Sequence, residues 1–183
     1  YRQYPFPAGL KVVKYDRWIR AQFDKVPPPP PNHFPGVDRV TIHEDTQGNG
    51  TFDKVTTFIE GLNIATAALP GRGGVWVMNA PYLLYSPVNK DGTAGTPVVH
   101  LSGFGLEDTH AVANSLTWGP DGWLYGLNGV FNHCKVQSNG KTFDFTCAMW
   151  RGHPRTRECQ GVVEGEGKPH GPGGVCVGGA GVR

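Results

Sequence analysis

The sequence predicts an all-β protein built from repeated sheet units of the β-propeller kind, and three observations carry this. Turn formers abound, with 27 Gly and 16 Pro in 183 residues against a charged fraction of only 17%, a composition poor in helix formers. Short runs of β-branched and aromatic residues recur between turns rich in Gly, Asn and Asp, as in proteins of many short strands. Two of these runs also repeat. Gly74-Val75-Trp76-Val77 is echoed by Gly122-Trp123-Leu124-Tyr125, and Phe58-Ile59-Glu60-Gly61-Leu62 by His100-Leu101-Ser102-Gly103-Phe104. A period of roughly 40 to 50 residues suits propeller blades. A β-sandwich is the competing architecture.

Taken in order, residues 1–36 form an N-terminal extension. Leu10 to Tyr15 alternates weakly like a strand, and Asp16 to Lys25 reads as a short helix with Trp18, Ile19 and Phe23 near one face. Pro27 to Pro31 reads as a polyproline II spacer, because these residues have no N–H to donate. Strand composition resumes at Val40 to His43 and again at Val55 to Ile59, around the loop Asp45 to Asp53. That loop resembles a calcium loop, with Asp45, Asn49 and Asp53 as metal ligands and Gly50 at the sixth position. It departs at the third position, Gln47, and at the twelfth, Thr56, where acids are expected. An ordinary Gly-rich hairpin turn is the alternative.

Further strands are expected at Val75 to Val77, Tyr82 to Tyr85 and Val98 to Leu101, and a hairpin from Leu116 to Tyr125. Within the hairpin, Pro120 presets the second position of a type I turn and Gly122 closes it. Cys134 and Cys147 flank the turn Ser138-Asn139-Gly140-Lys141 and read either as a cross-hairpin disulfide or as two buried thiols. With Cys159 and Cys176 they form no Cys-x-x-Cys pair, so a zinc ribbon or a haem attachment within this chain is not expected. The propeller-like unit is expected over 37–158. After Glu158 the composition shifts to about one-third Gly, and 159–183 reads as a decayed repeat, a flexible tail or a frame-shifted end.

The formal net charge of +2 implies no nucleic-acid partner, and no apolar run reaches the roughly 20 residues that span a bilayer. The densest chemistry lies at Glu107, Asp108 and His110, three ionisable groups just before a hairpin, where an all-β scaffold would carry a site. The remaining histidines, His33, His43, His100, His133, His153 and His170, read as surface or structural.

Several stretches carry a family resemblance: Asp38-Arg39-Val40, Glu44-Asp45-Thr46, Phe52-Asp53-Lys54-Val55, Gly61-Leu62-Asn63-Ile64, Gly71 to Val77, Pro81-Tyr82-Leu83-Leu84 and the whole run Gly103 to Gly126. Over about residues 8–158 the chain resembles the membrane-bound dehydrogenases abundant in planctomycetes and their relatives. The N-terminal domain of that family is similar to the soluble quinoprotein glucose dehydrogenase propeller. The resemblance implies a partial propeller of about three blades, at roughly 45 residues each. It implies a sugar or alcohol substrate, pyrroloquinoline quinone (PQQ) and calcium as cofactors, and electron transfer to a cytochrome c-type haem domain outside this chain. It also implies a periplasmic or extracellular location. His110 would take the alcohol proton, as an imidazole with a near-neutral pKa can, with Glu107 and Asp108 orienting it. Arg72, on its Gly-rich loop, would meet a quinone carboxylate. The alternative is a non-catalytic propeller that binds carbohydrate or protein.

Overall fold

The structure, a computed structural model, describes residues 28–33 and 35–164, and the backbone alone of 172–175 and 179–182. The expected strand at 10–15, the helix at 16–25, Pro27, Cys176 and most of the tail lie outside the described residues. Over 38–164 the chain is all-β, twelve strands in three sheets with no helix among the described residues. A short pair, β13 (Pro172–Val175) and β14 (Gly179–Val182), follows.

The proline segment differs from expectation. The Asn32 amide donates to the Pro29 carbonyl at 3.0 Å. Its described residues therefore make a turn and not an extended polyproline rod. Asn32 supplies the N–H that the prolines lack.

Strands β1 (Asp38–Glu44) and β2 (Lys54–Leu62) form an antiparallel pair. Next come β3 (Ala65–Gly71), β4 (Gly74–Asn79), β5 (Tyr82–Pro87) and β6 (Val98–Ser102), which pair consecutively as a four-stranded meander. A second four-stranded meander comprises β7 (Asn114–Trp118), β8 (Leu124–Asn128), β11 (Ala148–Gly152) and β12 (Cys159–Glu164). The hairpin β9 (Cys134–Ser138) and β10 (Lys141–Phe145) is inserted between β8 and β11 and reaches back to the first meander through one pair, Ser102↔Gln137. Strand β12 begins directly after Glu158, where the propeller-like unit was expected to end.

Packing explains why β4 and β5 are buried along their length. Trp76, Met78 and Leu83 point into a core shared with Leu101, Phe104, Leu124, Val136 and Trp150 from both larger sheets. Val77, Tyr82 and Leu84, on the opposite face, meet Phe58, Ile59 and Leu62 of β2. With both faces covered, the strands read as continuous apolar runs and not as alternation. Turn chemistry follows residue type. Asn139 (φ 49°) and Gly140 (φ 77°) make the two-residue connection between β9 and β10 with both φ positive, the geometry preferred in tight hairpins.

The hairpin answers the cysteine question. The residue opposite Cys134 is Phe145, so Cys147 lies past the rung and the two thiols are not joined. Both are buried, and burial pushes the Cys134 thiol up to about 12.

Candidate functional site

The meanders give the molecule two distinct strand ends. Thr66 Oγ1 donates to the Ala113 carbonyl at 2.6 Å at one end of β3 and β7, and Trp118 Nε1 donates to the Pro70 carbonyl at 2.9 Å at the other. His110 precedes the first end and Arg72 follows the second. The sequence expectation joined these two residues in one mechanism; the strands hold them apart.

At the His110 end the acidic cluster is real but open. His110 is mostly exposed, with Nδ1 3.5 Å from Asp108 Oδ1. The His110 amide also donates to that oxygen at 2.9 Å. Asp108 is pinned through its backbone to buried Asn132, which accepts from the Asp108 amide at 2.9 Å and donates to its carbonyl at 2.8 Å. Glu107 turns elsewhere, 3.7 Å from His133 Nδ1. The group forms a surface turn, and none of its three expected site residues lines the cleft described below.

The Asp45–Asp53 loop satisfies itself. Asp45 Oδ1 accepts from the Gln47 and Asn49 amides and Oδ2 from the Gly50 amide. Asp53 Oδ1 accepts from the Thr46 amide, and Oδ2 from the Thr46 hydroxyl and the Gln47 side chain. Asn49 Oδ1 takes the Thr51 amide. The Gly50 amide chiefly holds the Asp45 carboxyl below its usual range, and the Thr46 hydroxyl does so for Asp53. Among the described residues, no cluster of three or more His, Cys, Asp or Glu is placed to hold a metal ion.

The Arg72 end carries the cleft, a space of about 500 Å³ lined by Arg72, Trp76, Tyr85, Val98, His100, Pro154, Arg155 and Arg157. Arg72 rides on the β3–β4 turn with a left-handed backbone, φ 58°. Its guanidinium donates to the Gly122 carbonyl at 3.2 Å and lies 5.5 Å from the Trp118 ring centre. Its own carbonyl accepts from the Tyr85 hydroxyl at 2.9 Å.

Arg155 and Arg157 come from the β11–β12 connection, which is tied down residue by residue. The Arg155 and Thr156 amides donate to His153 Nδ1, and the Arg157 amide donates to the His153 carbonyl. Asn139 and Ser138 of the inserted hairpin hold the Thr156 and Arg157 carbonyls at 3.0 Å each. Arg157 too is left-handed, φ 59°. Arginine at positive φ is uncommon and costs free energy that glycine would not. The non-glycine residues described at positive φ are Arg72, Ser115, Asn139 and Arg157, and two of these four line the cleft. Among the described residues, no carboxylate lies within ion-pair distance of Arg72, Arg155 or Arg157. Nearby Arg151, by contrast, is paired with Asp121 at 2.9 Å and stacked over Trp123 at 4.5 Å.

His100, read from sequence as structural, stands in this cleft. It is buried, edge-on to Trp76 with 4.7 Å between ring centres, and its Nε2 donates to the His153 carbonyl at 3.1 Å. Burial, opposed by the carbonyl bond and reinforced by the charge of Arg157, brings its pKa down to about 4. Of the expected site residues, only Arg72 belongs to the cleft. The signal that marks its partners is the short run Arg155-Thr156-Arg157 after a His-Pro pair.

Among the described residues, no helix is long and apolar enough to cross a membrane. No curated protein and no solved structure matches the chain. One family profile does, across residues 12–172, and it covers the cleft, the acidic turn and all three sheets. The chain therefore belongs to the family described as Domain of unknown function (DUF7133).

Proposed function

We propose that this chain is a binding unit for a small anionic ligand, a carboxylate or phosphate, taken up in the arginine-lined cleft. The observation that carries the reading is the convergence of three arginines without carboxylate partners on one space of about 500 Å³. Two of them are held in a backbone conformation that is unfavourable for their type. Guanidinium groups suit carboxylate and phosphate geometry, and the volume falls in the usual range for small-ligand sites. The test is calorimetric titration with inorganic phosphate and with tricarballylate, a flexible tricarboxylate, at low salt. Wild type is expected to bind, and Arg155→Ala and Arg157→Ala each to lose roughly tenfold, about the worth of one charged hydrogen bond. Equal binding by wild type and an Arg72/Arg155/Arg157 triple-alanine variant would overturn the reading.

We read the sheets as successive propeller-like blades. Support comes from equivalent positions: the repeated Gly-Val-Trp and Gly-Trp-Leu runs lead into β4 and β8, the second strands of their meanders. The other repeated pair ends β2 and β6, and β3 and β7 lie side by side.

A second reading, a quinone-dependent sugar or alcohol dehydrogenase, is favoured by the same arginines. PQQ is a tricarboxylate, and Arg72, Arg155 and Arg157 would hold its carboxylates. When bound it accepts hydride from an alcohol. A haem-domain partner and a periplasmic or extracellular location belong to this reading alone. His110 has no place in it, being at the opposite strand end. Calcium would sit apart from the cleft, on the Asp45–Asp53 loop, where Asp45, Asn49 and Asp53 are its candidate ligands. Absorbance titration with the quinone, followed by dye reduction with a sugar panel, separates this reading from simple anion binding.

A further inference from the structure

We infer that His100 presents a bare acceptor nitrogen to the ligand, and that the ligand is therefore an anion that also carries a hydroxyl group, such as a sugar acid or sugar phosphate. The inference rests on the anion-binding reading and deepens it. A backbone carbonyl only accepts, so the 3.1 Å contact between His100 Nε2 and the His153 carbonyl places the ring proton on Nε2. Nδ1 then carries a lone pair. It has no hydrogen-bond partner among the described residues, and His100 is one of the residues that line the cleft.

The ring cannot swing away to satisfy that nitrogen elsewhere. Trp76 stands edge-on to it at 4.7 Å, the His153 carbonyl fixes its other side, and the residue is 8% exposed. Nor does the ring take up a second proton near neutrality, since burial and the charge of Arg157 disfavour the cation. The cleft therefore offers guanidinium donors together with a neutral acceptor. A complementary ligand needs negative charge for the first and a hydrogen-bond donor for the second. An ammonium donor would be repelled by Arg72, Arg155 and Arg157, whereas a hydroxyl has no such penalty. An anion without a donor would leave Nδ1 desolvated and unpaired.

The experiment uses two probes of nearly one shape: citrate, and tricarballylate, which lacks only the hydroxyl. Wild type is expected to prefer citrate by roughly three- to tenfold, the range for one neutral hydrogen bond. His100→Phe, which keeps a ring beside Trp76 and leaves the His153 carbonyl its bond from the Arg157 amide, has no acceptor and should abolish that preference. Independently of any variant, the ¹⁵N resonance of His100 Nδ1 in wild type should shift on adding citrate and stay in place with tricarballylate. A citrate preference that survives in His100→Phe, or an Nδ1 resonance indifferent to saturating citrate, would overturn the inference. If tricarballylate still binds in an Arg155-dependent way, the anion-binding reading outlives that failure. If neither tricarboxylate nor phosphate binds, both fall.

Discussion

Replacing Gly122 tests both the hairpin and the cleft. Gly122 closes the β7–β8 turn, its amide donating to the Gly119 carbonyl at 3.0 Å, with φ 77°. An L-residue with a side chain pays about 1–2 kcal/mol in that region, least for Asn and most for a β-branched residue. A Cβ there would also lie 2.7 Å from the Arg72 guanidinium. That is the far end of a flexible side chain, so the steric part is relieved by moving Arg72 off the Gly122 carbonyl. Gly122→Val is therefore expected to cost about 2 kcal/mol and Gly122→Asn about 1 kcal/mol. With a urea dependence of about 2 kcal/mol/M for a domain of this size, the midpoints should fall by about 1 M and 0.5 M. Anion affinity should fall in both, because Arg72 loses its place in both. Urea melts with and without saturating phosphate read both effects. A Val variant with an unchanged midpoint would refute the left-handed turn, and unchanged phosphate binding in both variants would refute the part given to Arg72.

Three further outcomes are expected. The folded pKa of His100 lies near 4 against an ordinary 6.5, so the unfolded chain binds the proton first as pH falls. Stability from this group is complete above pH 6.5 and is lost on acidification toward pH 4, by on the order of 3 kcal/mol, and melts of wild type against His100→Gln across that window should show the step only in wild type. Cys134 and Cys159, each pushed up to about 12 by burial, should resist a thiol reagent at pH 8 until denaturant is added; rapid labelling of either in the native protein would contradict the packing. A methyl added at Gly126 would run into the fully buried Trp150 indole, so Gly126→Ala should destabilise by about 1–3 kcal/mol, measured by thermal or urea melts.

The strands rich in Val, Trp and Tyr were legible because both their faces are buried, which forces large apolar residues into short runs. Strand β3 was not. Ala65-Thr66-Ala67-Ala68-Leu69-Pro70 has little strand propensity, and Pro70 argues against a central strand. The sheet tolerates it because β3 is the last strand of its sheet. Strand β12 was hidden by the shift toward Gly after Glu158, since its two valines, Val162 and Val163, face solvent beside Gly161 and make too short an apolar run to mark a strand. At the site, Arg72 was found from its Gly-rich loop, but its partners stand more than eighty positions later in sequence and join it only once β11 and β12 turn back. His110 stands out in sequence through the resemblance and through the local density of charge at Glu107, Asp108 and His110. Local density says nothing about which strand end a residue occupies, and that depends on the direction in which β3 and β7 run.

The inserted hairpin has a consequence for the order of assembly. The first meander consists of neighbours in sequence, and each strand can zip onto the last through a short connection. The second is interrupted, because β8 ends at Asn128 and β11 begins at Ala148. Bringing them together means closing a long loop before any pairing enthalpy is recovered, and non-local contacts of this sort slow a fold. The β9–β10 hairpin shortens that search. With its tight turn it forms locally, and once Val136 packs against the core of the first meander it delivers the chain back to β8 for β11 to add. Folding is then vectorial, the early sheet acting as template for the late one. Pulse-labelled hydrogen exchange should find amides of β4 and β5 protected before those of β11 and β12, and simultaneous protection would show that the interruption imposes no delay.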